Sequence, residues 1–470
     1  MWNYLKGFLA LIILLGWQGD IVCLLAQSSP NIIFILSDDA GYADFGFQGS
    51  EMMITPRLDR LAQSGVVFEQ AYVTAAVCGP SRAGILTGRY QQRFGFEENN
   101  VPGIMDHYLQ TDDDMGLPLD QVTMADYLKA QGYRTALFGK WHQGNADRFH
   151  PTFRGFDEFL GFRGGARSYF PFTADHPASR QEDWLERGYR KFGESDGYLA
   201  DVLVDETIQF VERNQEQPFF VFLSFNSVHS PMDALPEDLA QFPELTGKRK
   251  KLAAMTLALD RACGRLLDKL DELGMTEHTL VVFTNDNGGP TDSNASDNSP
   301  LSGTKANHLE GGIRVPFIMR WPAAIEGGKR FAPPVSTFDL LPTFLTAAGG
   351  NPDTLTHLDG VDLIPFLNGQ EEGIPHDTLF WKKENRGAVR AGDWKLLRFP
   401  DRPAELYHVV NDPGEMHNLA SEHPDKVRQL YKALFRWEVT LARPKWQLER
   451  RFEGKAMKRM DRYWDRVEDQ

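Results

Sequence analysis

Within Val77-Cys78-Gly79-Pro80-Ser81-Arg82-Ala83-Gly84-Ile85-Leu86-Thr87-Gly88-Arg89, a thiol, a helix start and a fixed cation fall in one short segment. Pro80 suits the first turn of a helix running towards Leu86, because the N–H it lacks goes unpaired there in any case. Cys78 then stands at a helix N-terminus, where free N–H groups and the macrodipole favour negative charge. Arg82 follows one turn later on the same face, so a nucleophile and a guanidinium point at one small volume suited to an anion. Taken alone, Cys78 would read as a core thiol and Arg82 as a solvated charge.

Asp38, Asp39, Asp286 and Asn287 offer three carboxylates and an amide oxygen with no softer donor among them, which suits Ca²⁺ or Mg²⁺ rather than Zn²⁺. Either segment by itself also reads as an ordinary turn, but two adjacent aspartates are costly to hold together without a cation. Lys140 and His142 lie two residues apart, and His229 follows a separate apolar run. Lys305 sits in the glycine-containing stretch Leu301-Ser302-Gly303-Thr304-Lys305.

The elements that must position these groups share one grammar. Asn31-Ile32-Ile33-Phe34-Ile35-Leu36 is a continuous apolar run ending in Ser37-Asp38-Asp39, as a strand buried on both faces of a parallel sheet reads. Arg134 to Phe138 leads likewise into Gly139-Lys140-Trp141-His142, Phe219 to Phe225 into Asn226-Ser227-Val228-His229, and Leu280 to Phe283 into Thr284-Asn285-Asp286-Asn287. Helical patterns lie between them: Arg57 to Ser64, Thr123 to Gln131 with Asp126 three residues after its cap, Leu199 to Arg213, and Lys251 to Leu273. The alternation predicts an α/β fold with a doubly wound, mostly parallel sheet, in which ligands bind beyond the carboxyl ends of the strands. All four polar clusters fall at such ends.

From about Pro375 the pattern changes to short strands and turns: Thr378 to Lys382, Gly387 to Phe399 and Glu405 to Val410, followed by a helix near Asp425 to Leu441. The expected organisation is a signal peptide over 1–26, a catalytic α/β domain over 27–374, and a smaller antiparallel sheet with a helix over 375–441. A basic, aromatic tail over 442–470, containing Trp446, Phe452, Tyr463 and Trp464, reads as a helix packed on the body, with a binding arm as the alternative.

The string Cys78-x-Pro80-Ser81-Arg82, completed by Thr87-Gly88-Arg89, resembles the signature of the type I sulfatases, of alkaline phosphatase-like fold. Gly139-Lys140-Trp141-His142, Val228-His229-Ser230-Pro231, and Lys305 with Glu310-Gly311-Gly312-Ile313-Arg314-Val315-Pro316 are similar to further motifs of that family. The resemblance runs from about Asn31 to Leu441 and implies that Cys78 is oxidised to formylglycine by a formylglycine-generating or anaerobic sulfatase-maturating enzyme. It further implies one Ca²⁺ held by Asp38, Asp39, Asp286, Asn287 and residue 78. The hydrated aldehyde would be activated by Arg82 and Lys140. His229 would protonate the leaving alcohol, Lys305 would stabilise the transferred sulfuryl group, and His142 would help expel sulfate.

Composition sets the outer limits. The 470 residues, 42% hydrophobic and 24% charged, can bury a large core. A net charge of -15 argues against nonspecific nucleic-acid binding, so an anionic substrate needs a local basic pocket. Lys6, the apolar run Phe8 to Trp17 and the patch Ile21 to Ala26 are too short and too soon broken for stable membrane insertion, and fit export to the periplasm or the exterior. Cys78 and Cys263 alone would remain after cleavage, which makes no disulfide framework. His150-Pro151-Thr152-Phe153-Arg154-Gly155-Phe156-Asp157 is similar to sulfatases acting on N-acetylgalactosamine sulfates and other polysaccharides, which implies a sulfated oligo- or polysaccharide substrate. Arg163 to Lys191 mixes arginines with Tyr169, Phe170, Trp184 and Tyr189, able either to grip such a sugar or to pair on the surface. The competing readings are a phosphonate or phosphodiester hydrolase of the same superfamily and a noncatalytic polyanion-binding homologue.

Overall fold

The computed structural model describes residues 29–101, 103, 105–106, 112–172 and 184–449. The expected signal peptide, Arg180 and most of the tail fall outside this set. Among the described residues nine strands form the main sheet: β1 (Asn31–Ser37), β2 (Val66–Phe68), β3 (Arg134–Lys140), β4 (Glu158–Phe162), β5 (Glu186–Arg187), β6 (Phe219–Ser224), β7 (Thr279–Asn285), β8 (Phe317–Arg320) and β9 (Lys329–Phe331). Their spatial order is β9-β2-β8-β7-β1-β6-β3-β4-β5. The inner strands β7, β1, β6, β3 and β4 are all parallel, with Ile35 of β1 paired to Leu223 on one side and Phe283 on the other. Strand β8 runs antiparallel between β7 and β2, and β5 antiparallel at the far edge.

Alternation along β1 explains why its apolar run is unbroken. Ile33 and Ile35 face one layer with Leu203, Leu259 and Leu266, whereas Ile32, Phe34 and Leu36 face the other with Ile85, Leu86 and Phe344. Helices α1 (Pro56–Ser64), α2 (Cys78–Thr87), α3 (Met124–Ala130), α4 (Leu199–Arg213) and α5 (Gly247–Glu272) complete these layers. The expected capping box at α3 is formed, with Thr123 Oγ1 accepting from the Asp126 N–H and the Asp126 carboxylate accepting from the Thr123 N–H.

A second, antiparallel sheet contains β10 (Thr378–Lys383), β11 (Arg386–Ala391), β12 (Trp394–Arg398) and β13 (Glu405–His408), backed by α6 (Pro424–Glu438). The single stretch Gly387 to Phe399 is two strands, because Gly392 (φ 56°) turns the chain between them. The described start of the tail also departs from expectation. Gln447–Leu448 is extended and pairs with Met105–Asp106, while Trp446 is buried edge-on to Phe96 and donates to Glu98 O at 2.9 Å. Pro444 lacks the N–H a helix would need at this point, and the Trp446 indole gains more from burial than from a solvated helix face.

Candidate active site

The ends of β1, β3, β6 and β7 bring the polar clusters together around Cys78. Asp38 and Asp39 leave β1, Lys140 ends β3, His229 lies beyond β6, and Asp286 and Asn287 follow β7. Gly288 lets this last turn close, since a β-carbon there would stand 1.8 Å from Gly311 O. The Glu310-Gly311-Gly312 stretch is thereby pressed against the site.

Cys78 is the first residue of α2 and is buried. Its Sγ accepts from Lys305 Nζ at 3.0 Å and lies 3.7 Å from Asp38 Oδ1. Lys140 Nζ donates to Asp38 Oδ2 at 2.5 Å, and Lys305 Nζ also donates to Asp39 Oδ1 at 2.7 Å. Burial pushes the unmodified thiol up to about 12 despite both lysines, with Asp38 and Asp286 opposing ionisation too. The helix terminus itself does less than expected. Gly79 N–H, one of the free donors anticipated for an anion, is taken by Asn99 Oδ1 at 2.8 Å, and positive charge comes instead from the two lysines.

Arg82 stands behind the carboxylates rather than facing the thiol directly. Its Nε donates to Asp286 Oδ2 at 2.8 Å, its Nη1 to Ser224 Oγ at 2.6 Å, and its Nη2 lies 3.6 Å from Asp38 Oδ2. Ser224 in turn donates to Lys140 O at 2.7 Å, tying β6, β3 and α2 at one point. Burial, and then Asp38, raise the Asp286 carboxyl, with Arg82 and Lys140 opposing. Burial would raise Asp39 as well, but Lys305 and His229 outweigh it and hold this carboxyl low.

The two histidines differ in surroundings. His142 is buried with φ 55°, neither ring nitrogen has a hydrogen-bond partner among the described residues, and burial together with Lys140, Arg82 and Lys305 holds it well below the usual histidine range. His229 is partly exposed, its Nδ1 lies 2.5 Å from Ser230 O and its Nε2 3.5 Å from Asp39 Oδ2. Burial lowers it to about 4, with Asp39 opposing and Lys305 and Lys140 assisting.

The donor set fits a divalent cation. Asp286 Oδ1 and Asn287 Oδ1 are buried without a hydrogen-bond partner among the described residues, and such orphaned oxygens beside Asp38 and Asp39 suit a hard ion. Ligand atoms of Asp38, Asp39, Cys78 and His229 all lie within 4.8 Å of one another, so the cluster also takes in a histidine to which the family resemblance gave proton transfer.

Sequence reasoning missed Ser224, Asn99 and Gln143, and read Tyr169 only as an aromatic able to grip a sugar. Gln143 donates to Gly79 O at 2.9 Å, and Tyr169 OH donates to Asn226 O at 2.5 Å while lying 2.9 Å from His229 O. Ser224 could have been found, since it closes an apolar strand run at the site end. Nothing local marks the other three. The described arginines of 163–191 pair with acids: Arg163 with Glu186 and Asp147, Arg167 with Glu194, Arg187 with Glu206, and Arg190 with Asp147.

A buried thiol ringed by cations and carboxylates, at the carboxyl ends of a parallel sheet, suits a hydrolase of anionic esters. Residues 30–350 match the Sulfatase family, residues 305–439 match the family described as N-sulphoglucosamine sulphohydrolase, C-terminal, and the chain belongs to the sulfatases. Arylsulfatase A of Homo sapiens is 33% identical, with 83% of each chain covered. N-acetylgalactosamine-6-sulfatase of Canis lupus familiaris is 32% identical over 79% of this chain and 72% of its own. The crystal structure of Ps i-CgsB in complex with k-i-k-neocarrahexaose is similar at a TM-score of 0.83 and 34% identity, covering 94% of this chain and 99% of that one.

Proposed function

We propose that this sulfatase is an exported enzyme that removes sulfate from a sulfated polysaccharide, with carrageenan-type galactans as the substrate class to test first. The observation that carries the hydrolytic reading is the contact of Lys305 Nζ with both Cys78 Sγ and Asp39, opposite the Lys140–Asp38 pair. The likeness to a structure holding a neocarrahexaose supports the choice of sugar.

Formylglycine derived from Cys78 would supply a hydrated aldehyde as nucleophile, and Ca²⁺ held by Asp38, Asp39, Asp286 and Asn287 would supply a Lewis acid. Around them the chain's own residues divide the work. Asp38, Asp39 and Asp286 are balanced by Arg82, Lys140 and Lys305, so a bound divalent ion leaves the pocket positive and matched to a sulfate ester. Lys140 and Lys305 face the sulfate oxygens, and Arg82 fixes the carboxylates. His229 Nε2 delivers a proton to the leaving alkoxide, and the sulfate's negative charge beside it opposes the depression caused by burial. His142, held neutral and with neither nitrogen hydrogen-bonded among the described residues, accepts a proton from the hydroxyl group of residue 78.

The test expresses the chain with and without a formylglycine-generating system and reads sulfate release from nitrophenyl sulfate and a carrageenan oligosaccharide, against a phosphonate ester. Mass spectrometry of the Cys78 peptide should show the aldehyde only in the active preparation. Exhaustive chelation and Asp38→Asn should each remove metal and most turnover. Faster phosphonate than sulfate turnover, or full activity in Cys78→Ala, would overturn the reading.

A further inference from the structure

The His142 ring, whose nitrogens find no hydrogen-bond partner among the described residues, and the backbone carbonyl of His229 both meet one loop. His142 N–H donates to Arg163 O at 3.1 Å. Two residues on, a β-carbon at Gly165 would fall 2.7 Å from His142 Nε2 and 2.8 Å from its Cε1, so the ring occupies the space that glycine leaves. The clash would be with a ring hemmed in by the site, not with the free end of a long side chain. Four residues further, the buried Tyr169 hydroxyl reaches the carbonyls of Asn226 and His229, at 2.5 and 2.9 Å.

The loop is itself anchored on all sides. Arg163 makes a two-pronged pair with Glu186 at 2.7 and 2.8 Å, and Arg167 pairs with Glu194 at 2.6 Å. Ser168 Oγ donates to Asp233 Oδ2 at 2.8 Å, Leu199 N–H donates to Tyr169 O at 2.8 Å, and the Tyr169 ring stacks on Tyr198. Two-pronged, buried arginine–carboxylate pairs resist displacement far better than single exposed ones. The acids that occupy these arginines make the segment a brace.

We infer that residues 163–169 position both histidines, Gly165 setting the His142 ring and Tyr169 setting the backbone that carries His229. The inference rests on the sulfatase mechanism proposed above for its kinetic consequences, but not for its geometry. Tyr169→Phe deletes only the hydroxyl, and Gly165→Ala adds only one carbon, so each perturbs one histidine.

In the matured enzyme, Tyr169→Phe should lower kcat about tenfold on an alkyl sugar sulfate, where the leaving group needs the proton, with KM changed less than about twofold. Its loss on nitrophenyl sulfate should be under about threefold. Gly165→Ala should lower kcat equally on both substrates. A separate readout needs no turnover: in histidine-labelled protein, Gly165→Ala should shift the His142 ring resonances and spare those of His229, and Tyr169→Phe should do the reverse. Unmoved resonances in both variants would overturn the positioning role whether or not the wild type cleaves sulfate esters. Equal kinetic losses on both substrates in Tyr169→Phe, matched by a fall in Tm, would mean that the loop serves stability alone.

Discussion

Asp38 shows how tightly the site is wired at the level of single residues. It faces Lys140 at 2.5 Å, Arg82 at 3.6 Å and the Cys78 sulfur at 3.7 Å, in a region closed to solvent where an unmatched charge is expensive. Removing a lysine or an arginine here therefore disturbs several groups together, and such variants assign no single role. The histidines are better subjects because neither closes an ion pair the fold depends on. His229→Ala should lose at least about tenfold more activity on an alkyl sugar sulfate than on nitrophenyl sulfate, since only the former departs as a strongly basic alkoxide. Parallel kcat measurements on the two esters check this, and equal losses would remove His229 from the acid role. Ser224→Ala should leave an Arg82 N–H without its best acceptor and cost about 1–3 kcal/mol of stability, read by denaturant unfolding.

Among the elements, β13 carries a group whose protonation couples to folding. Burial pushes Glu405 up to about 7, against a hydrogen bond from Tyr407 OH at 2.9 Å and the nearby Arg402. A carboxyl raised on folding binds its proton more tightly in the folded state. Its favourable contribution is complete below about 4.5 and is lost as pH rises through 7, a change of about 3 kcal/mol. Glu405→Gln keeps the acceptor for Tyr407 and removes the ionisation. Urea midpoints should match between wild type and variant at pH 5, with the variant clearly more stable at pH 8. No divergence with pH would show that Glu405 ionises freely.

Across the whole molecule, the two sheets meet through a buried charge cluster. Lys395 of β12 donates to Glu310 Oε1 at 2.8 Å and lies 2.9 Å from Glu415 Oε1, while Tyr72 OH donates to Glu310 Oε2 and accepts from Arg390, both at 2.6 Å. Glu310 begins the glycine stretch pressed against Gly288, so the second sheet braces the site from behind. Lys395→Met leaves two buried carboxylates sharing too little positive charge and should cost about 3–5 kcal/mol, with turnover falling too. Glu415→Gln in the same chain should recover part of that loss, because one of the unmatched charges is gone. Unfolding curves of the single and double variants decide it, and additive losses would show that the cluster does not act as a unit.

The periodic signals, which depend only on neighbours along the chain, made much of this legible from residues alone. Continuous apolar runs in β1, β3, β6 and β7, each ending in polar residues, specified buried parallel strands and placed Asp38, Lys140, His229 and Asp286 at one end of a sheet. The span Leu199–Arg213 is helical as the apolar spacing requires, and the Thr123–Asp126 box closes as its three-residue offset requires. Strand order, by contrast, depends on contacts hundreds of residues apart. Nothing near Asn99 announces that its amide will close the N-terminus of α2, and nothing in the Tyr169 segment says that its hydroxyl will reach the His229 carbonyl. The arginines of 163–191 were ambiguous for the same reason: whether a guanidinium grips a ligand or a neighbour depends on which carboxylates the fold brings beside it. Glu186, Glu194 and Asp147 are in place only once the edge strand has turned back and the loops on either side have closed over it.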